Sequence, residues 1–274
     1  LCALSPTSRG CCCRLKMPKK ARRLSSKRGR QIGRDDRNGF GFIVSSSDKT
    51  LSMVDHITGA TSKLTTLQHE VKNFNISPDG KTLAGATWSG QILLVDLKNY
   101  TTTTLINDST ARMLSVKFSP DGNVLAFGLD DKTNRRGLVK TYNLATKELR
   151  QFTGHKAGVN DIEFSPDGKL LASAGADKRL LLWIVENPQA LPITMGNNNG
   201  FIWDIAFTQG SNYLIAACSE SEIRVWPTDP ALLATQICPK LNRNMTLDEW
   251  SKYVGEGGNI KYEPTCVGLL IKDY

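Results

Sequence analysis

Residues 153–185 read TGHKAGVNDIEFSPDGKLLASAGADKRLLLWIV, and two readings of them compete. His155, Ser173 and Asp177 are the three residue types of a nucleophilic triad. The same stretch carries S-P-D-G between two apolar, β-rich runs, which is the pattern of a hairpin. The choice turns on whether the stretch stands alone or recurs.

It recurs. S-P-D-G occupies 77–80, 119–122 and 165–168, and a degenerate copy, FTQGSN, begins at Phe207. The apolar residues before these turns are Ile76, Phe118, Phe164 and Phe207, spaced by 42, 46 and 43. A second series, the ends of later β-rich runs, falls at Val54, Val95, Tyr142, Trp183 and Trp226, spaced by 41, 47, 41 and 43. Both series lengthen across LDDKTNRRGL (129–138), which predicts a local insertion in one hairpin with the register kept. In each unit, proline presets φ and glycine accepts positive φ in the tight turn. A second strand follows, then a short polar turn such as Ala176-Asp177-Lys178, then a third strand. Helical periodicity is absent between these landmarks. Repeated four-stranded units of about 43 residues predict an all-β propeller.

The repeats resemble the WD40 family. The match is fullest at Gly154-His155, Phe164 to Gly168, Ser173, Asp177 and Trp183, and extends over residues 39–226. The acid of the Trp-Asp pair is kept only at Asp55 and Asp96, neither of which follows a tryptophan. The resemblance implies that His155, Ser173, Asp177 and Trp183 form one buried hydrogen-bonded chain that holds a blade together. A triad would need Ser173 on a strained elbow that presents its hydroxyl, and it lies instead in a strand pattern. Four residues before each landmark of the first series stand Lys72, Leu114, Asn160 and Trp203. The family geometry would gather them near the channel mouth as a partner-binding face. Trp203 is read as packed between blades, with an exposed hot spot as the alternative.

Five third-strand endings but four S-P-D-G-type turns imply four complete units and the last part of a fifth. Rings of this family close at about seven blades and leave no sheet edge open. The chain is therefore read as an incomplete propeller of four to five blades, the C-terminal part of a longer protein. The alternative is a small or domain-swapped propeller completed by another chain.

The two ends differ from the repeats. Formal net charge is +9, but residues 1–38 hold twelve Lys or Arg against two Asp, so the body is nearly neutral. This basic tail fits no repeat. It is read as foreign to the native repeat protein, with a disordered solvated arm and a basic arm for nucleic acid or nuclear entry as alternatives. No aromatic residue interrupts its charges, so base stacking is unsupported and a nucleic-acid partner is disfavoured. Residues 227–274 change to helix-like spacing. Thr246 and Glu249 form a capping box, Trp250, Tyr253 and Val254 follow on one stripe, and Gly255 suits the helix end. Leu232, Leu233, Ile237 and Leu241 could share a face, interrupted by Pro239.

This tail resembles the end of WD40 arrays in large bacterial proteins, on Asn244, Thr246, Glu249, Trp250, Tyr262, Thr265 and Cys266. The resemblance implies a sensor behind a missing effector module, such as a signalling nucleotidase or a caspase-like peptidase, with the tail capping the last blade's edge or recognising a partner. Cys238 and Cys266 sit at the two ends of that motif; a reduced buried pair is expected in a cytoplasmic chain, and a disulfide is the alternative.

Other chemistry is unsupported. No phosphate loop or H-E-x-x-H occurs, and His56, His69 and His155 fall in separate units, so neither a metal nor a cofactor is expected. GFGF (39–42) lacks the helix of a dinucleotide loop, and Asp130-Asp131 is read as a solvated turn. No run approaches the roughly 18 apolar residues of a membrane helix. The expectation is a non-enzymatic protein-interaction scaffold in a bacterial signalling protein. A propeller hydrolase, which would need carboxylates converging in the channel, and nucleic-acid binding through the basic arm are the alternatives.

Overall fold

The computed structural model describes residues 31–34, 41–55, 57–195, 200–219, 222–229, 232, 238–241, 243–249 and 266. Among these residues, five antiparallel sheets follow one another along the chain. The first contains β1 (Gln31–Arg34), β2 (Gly41–Ser45), β3 (Thr50–Asp55) and β4 (Thr61–Thr66). The second contains β5 (Val71–Ile76), β6 (Thr82–Thr87), β7 (Gln91–Asp96) and β8 (Thr102–Asn107). The third contains β9 (Ala111–Phe118), β10 (Val124–Asp131), β11 (Arg136–Asn143) and β12 (Leu149–Thr153). The fourth contains β13 (Val159–Phe164), β14 (Leu170–Gly175), β15 (Leu180–Ile184) and β16 (Ile193–Met195), and the fifth β17 (Ile202–Phe207), β18 (Tyr213–Cys218) and β19 (Ile223–Pro227). Each sheet is a meander of sequential neighbours. The first strands β1, β5, β9, β13 and β17 pack side by side in chain order, as the inner strands of a propeller do. The fold is thus an all-β propeller of WD40 type.

The turns explain the repeat. In each S-P-D-G the serine hydroxyl donates to the aspartate and accepts the amide of the residue that starts the next strand: Ser77 to Asp79 at 2.6 Å with Thr82 N at 3.0 Å, and Ser165 to Asp167 at 2.5 Å with Leu170 N at 2.9 Å. The glycines close these turns at φ of 68°, 77° and 73° for Gly80, Gly122 and Gly168, a region costly for other residues. In the degenerate copy Thr208 replaces the serine and Ser211 takes the left-handed position at φ 58°. Asp55, Asp96 and Asn143 follow the third-strand landmarks and cap the next turn, each accepting two amides. That is the local work of the acid in the Trp-Asp position.

The core lies between sheets. Leu83, Leu93 and Val95 pack on Ile43 and Leu51. Phe127 and Met113 pack on Ala84, Ala86 and Ile92. Phe152, Leu181 and Trp183 join the third sheet to the fourth, and Leu180 and Leu182 meet Ile202, Ile205 and Leu214 across the last junction. Every such residue leaves water only because the next sheet covers it, so the hydrophobic gain is a property of the stack.

Three expectations change. Gln31–Arg34, inside the segment read as a tail, pairs with β2 from Gln31–Ser45 to Arg34–Phe42, so the first unit has four strands without an S-P-D-G turn. Asp130 and Asp131 end strand β10 rather than forming a solvated turn. Asp131 is 8% exposed and accepts the amides of Thr133 and Asn134 at 3.0 Å each, so its carboxylate closes the enlarged β10–β11 hairpin. Finally, Cys238 and Cys266 are joined as a disulfide, Cα to Cα 5.5 Å; Asn244 fixes the approach by accepting Cys266 N–H and donating to its carbonyl, both at 2.9 Å.

The insertion is accommodated as eight-residue strands β10 and β11. In the tail, Glu249 N donates to Thr246 Oγ1 at 3.2 Å and Thr246 N to Glu249 Oε2 at 2.9 Å, reciprocal bonds of a helix start at Leu247. Arg243 pairs with both Glu249 oxygens at 2.6 and 2.7 Å and holds that carboxyl down at about 2. His56, Leu233, Ile237, Trp250, Tyr253, Val254, Gly255, Tyr262 and Thr265 lie outside the described residues.

Candidate functional site

His155 follows β12, Ser173 lies in the middle of β14, Asp177 in the β14–β15 turn and Trp183 in β15. Pairing of β14 with β15 sets Leu171 opposite Trp183 and Ser173 opposite Leu181. Both Ser173 and Trp183 therefore face the third sheet. The Trp183 indole N–H donates to Ser173 Oγ at 2.7 Å, and His155 Nε2 lies 2.8 Å from the same oxygen. His155 Nδ1 lies 3.0 and 3.1 Å from the two Asp177 oxygens. With Nδ1–H donating to the carboxylate, Nε2 accepts from Ser173 and every partner is satisfied. Lys156 N at 2.8 Å and Arg179 N at 3.1 Å complete the carboxylate's shell. Burial pushes the Asp177 carboxyl up, but the His155 bond and these amides outweigh it and hold the group below its ordinary value.

The chain of contacts is closed to substrate. Ser173 is 0% exposed, and the His155 and Asp177 side chains are 1% and 5% exposed. A nucleophilic hydroxyl needs a free approach and donors aimed at an oxyanion; this one is sealed under an indole. Gly175 shows how tightly the loop is held, since a Cβ there would fall 2.5 Å from Asp177 Oδ1 and 2.7 Å from His155 Nδ1.

The four residues of the expected partner-binding face occupy one structural position in four successive sheets. Lys72, Asn160 and Trp203 are skipped in the pairing of Val71–Asn73, Val159–Asp161 and Ile202–Asp204 with the neighbouring strands. Leu114 is skipped between Met113 and Ser115. Each is the extra residue of a β-bulge in an inner strand, at its second residue in β5, β13 and β17 and its fourth in the longer β9. Bulges of this kind re-aim a side chain, and here four successive ones put Lys72, Leu114, Asn160 and Trp203 at the same end of the sheets. Asn160 is committed across the sheets, donating Nδ2–H to Ile202 O at 2.9 Å. Trp203, expected between blades, is 47% exposed and meets only Phe201 edge-on at 6.1 Å among the described aromatic rings. The bulge swings its ring out of the inter-sheet core, which Ile202 and Ile205 fill instead.

Two features escaped the sequence. Trp88, 56% exposed in the β6–β7 turn, carries the Lys72 ammonium 4.5 Å from its ring centre, while Glu70 pairs the same ammonium at 2.7 Å. An aromatic residue inside a polar turn was the available signal. The inner strands also carry an ionic ladder: Lys117 pairs with Glu163 at 2.5 Å, and Asp161 accepts Ile205 N–H at 2.9 Å beside Asp204. Asn73 does the equivalent work two junctions earlier, accepting Val116 N–H at 3.0 Å. Burial and the neighbouring Asp204 carboxylate push the Asp161 carboxyl well up. Burial also raises Glu163, moderated by Lys117; burial of Lys117 itself is outweighed by Glu163 and Asp161, which raise it. Below the ladder, at the S-P-D-G end, a groove of ≈ 220 Å³ is lined by Pro78, Pro120, Pro166, Lys117 and Glu163. No group of three or more metal-ligating side chains occurs among the described residues, and no described helix is long and apolar enough to cross a membrane.

These sheets, bulges and buried networks define a WD40-type repeat scaffold. The family model "WD domain, G-beta repeat" matches residues 146–183 and 190–227, so the chain carries WD40 repeats. It is 28% identical over 194 residues to Protein hir-1 of Neurospora crassa, covering 61% of this chain and 19% of that protein. An uncharacterized WD repeat-containing protein of Synechocystis is 29% identical over 59% of this chain and 45% of its own length. Small ribosomal subunit protein RACK1y of Oryza sativa is 29% identical over 46% of this chain and 36% of its own. The chain thus spans less than half of each of these relatives, which come from a fungus, a cyanobacterium and a plant.

Proposed function

We propose that this chain is a non-catalytic protein-binding platform, a scaffold or sensor part of a larger cytoplasmic signalling protein. WD-repeat proteins generally act as interaction scaffolds, and the observation that carries the reading here is the row of bulge residues. Four consecutive sheets aim the same position at one end, and at two of the four exposed aromatic surface gathers there: Trp203 beside Phe201, and Trp88 over the half-buried Lys72, whose ammonium pairs with Glu70. Aromatic residues of this kind anchor partners, and loops on a rigid sheet scaffold supply recognition at low ordering cost. The affinity would come from contacts at these loops with no bond made or broken. Affinity capture on the immobilised full chain, read by mass spectrometry, tests it. Polypeptides captured by the wild type should be lost with Trp203→Ala and Lys72→Glu and retained with Leu191→Lys, a substitution on a distant exposed site. Capture indifferent to the bulge variants would refute the reading.

One observation favours a second reading, a hydrolase. Asp161, Glu163 and Asp204 converge on the inner strands, as such an enzyme would need. Each of the first two is already engaged, by Ile205 N–H and by Lys117, which supports a structural role. Turnover of chromogenic glycosides or esters, abolished by Asp161→Asn, would reverse that ranking.

A further inference from the structure

Acids and bases in the turns at the bulge end are placed differently. In the third and fourth sheets the carboxylates turn inward. Asp131, 8% exposed, accepts the amides of Thr133 and Asn134. Asp177 accepts those of Lys156 and Arg179, and Asp130 is half-buried with Arg112 3.9 Å away. The cations stay in water: Lys132, Arg135, Arg136, Lys156 and Lys178 are all exposed. Among the described residues Arg135, Lys156 and Lys178 have no ion-pair partner, and Arg136 reaches Asp131 only at 3.9 Å. These turns also touch one another. A Cβ on Gly137 would run into Ala157 O, so the base of the β10–β11 hairpin meets the β12–β13 loop between Arg136 and Lys156. The shared Asp177 carboxylate ties that loop to the turn that carries Lys178. The result is one continuous cationic ridge over two adjacent sheets. At the S-P-D-G end the balance differs: Asp79, Asp121 and Asp167 are exposed alongside Lys81 and Lys169.

We propose that this ridge binds an acidic polypeptide segment, through the carboxylates of successive Asp or Glu side chains. The inference rests on the platform reading above and names the chemistry of its partner. The ridge lies at the bulge end, where a Cβ on Gly158 would fall 2.9 Å from the Leu114 side chain. Both of its sheets have a described neighbour on each side, since β9 packs on β5 and β13, and β13 on β9 and β17. It is therefore inside the stack and not at an end of it. Charge complementarity selects an anion. Burying the turn carboxylates leaves the exposed cations uncompensated, and a surface of one sign steers a partner of the other. Extent selects a short polypeptide over a nucleic acid. Acidic partners interrupt the cationic surface on either side: Glu70 pairs with Lys72 at 2.7 Å in the second sheet's approach, and Glu222 with Arg224 at 2.8 Å in the fifth sheet. Stacked sheets lie about 10 Å apart, so two of them with their turns match about four to six residues of extended chain. A nucleic acid would call for a longer phosphate track, and the body beyond residue 38 is nearly neutral.

Fluorescence anisotropy of labelled hexaglutamate with the full chain tests it, with hexalysine and an oligothymidylate of equal charge as comparison probes. Hexaglutamate should bind more tightly than either, and less tightly as salt rises from about 50 to about 200 mM. Arg136→Gln/Lys156→Gln/Lys178→Gln should weaken it by about tenfold. Lys81→Gln/Lys98→Gln/Lys169→Gln removes the same charge from exposed lysines at the other end of the sheets and should leave binding unchanged. Hexaglutamate carrying a benzophenone locates the site on the wild type, where photo-crosslinked peptides should fall within 132–179. Equal binding by the two triple variants overturns the proposal. So do crosslinks confined to the basic residues 1–38, or tighter binding of the oligothymidylate. Trp203 takes no part in this assay, which keeps the two readings separable. Hexaglutamate binding indifferent to the ridge, with polypeptide capture still dependent on Trp203, sinks this inference alone. Ridge binding intact, with capture indifferent to Trp203 and Lys72, sinks the bulge-face reading alone.

Discussion

Replacing His155 by alanine isolates what the buried polar chain contributes. The substitution removes the two contacts of the imidazole, to Asp177 and to Ser173. Ser173 Oγ keeps the Trp183 indole as a donor but loses its own acceptor, in a place that is 0% exposed. Asp177 keeps the amides of Lys156 and Arg179, so its charge is not orphaned. Two lost bonds at about 1 kcal/mol each, with about 1 kcal/mol more for the stranded hydroxyl, give a destabilisation of about 3 kcal/mol. For a domain of this size each kcal/mol moves the melting temperature by about 2–4 °C, so a drop of roughly 6–12 °C is expected. Scanning calorimetry at neutral pH reads it. The control is Ser89→Ala, in the matching turn of the second sheet, where only a Thr87–Ser89 hydroxyl contact is present; it should shift melting by no more than about 2 °C. A His155→Ala protein that melts with the wild type would show that the four residues do not act as a unit, and the argument for a scaffold role would lose its energetic basis.

Three further outcomes follow from the same structure. Gly175→Ala should destabilise about as much as His155→Ala, because its Cβ would collide with both Asp177 and His155; thermal melts of the two single variants and the double should show the losses to be non-additive. Asp161 has a folded-state pKa above its unfolded value, so its contribution is full below about pH 4 and is lost as pH rises through the folded pKa; urea titrations should show that slope flattened in Asp161→Asn, whose side-chain oxygen can still accept Ile205 N–H as Asn73 does for Val116. Alkylation of the denatured, unreduced protein should leave Cys238 and Cys266 unlabelled and linked in one peptide pair, and reduction should lower the tail's resistance to proteolysis, by about 3–4 kcal/mol in a chain-entropy account of the 28-residue separation.

Much of the scaffold was legible because its signals are local. A serine, proline, aspartate and glycine in series make their turn from their own hydroxyl, ring and φ preferences, wherever the chain goes next. Three such turns and a degenerate fourth in phase, with apolar runs between them, leave little besides stacked hairpins. The His155 chain was legible through resemblance, since its members lie 18 and 22 residues apart along the chain for Ser173 and Asp177 and nothing in spacing alone brings them together. The strand at Gln31–Arg34 was not legible, because a basic, glycine-broken stretch carries no strand pattern of its own and its pairing comes from β2. Nor was the linkage of Cys238 to Cys266, which depends on Asn244 gripping the backbone of a residue far along the chain.

What the sequence determined alone was the beat of hairpins and which residues of each strand are apolar, because turns and alternation are decided within a few residues. Only the tertiary structure decided what those apolar residues face. Leu180 and Ile223 hold the same register position and are both aliphatic, yet one is sealed and the other wet. The difference is the neighbouring sheet, and burial is a relation between surfaces that no single strand encodes. The same holds for Asp161 and Trp203: the bulge and the adjacent strand, distant in the chain, set the proton affinity of one and the exposure of the other.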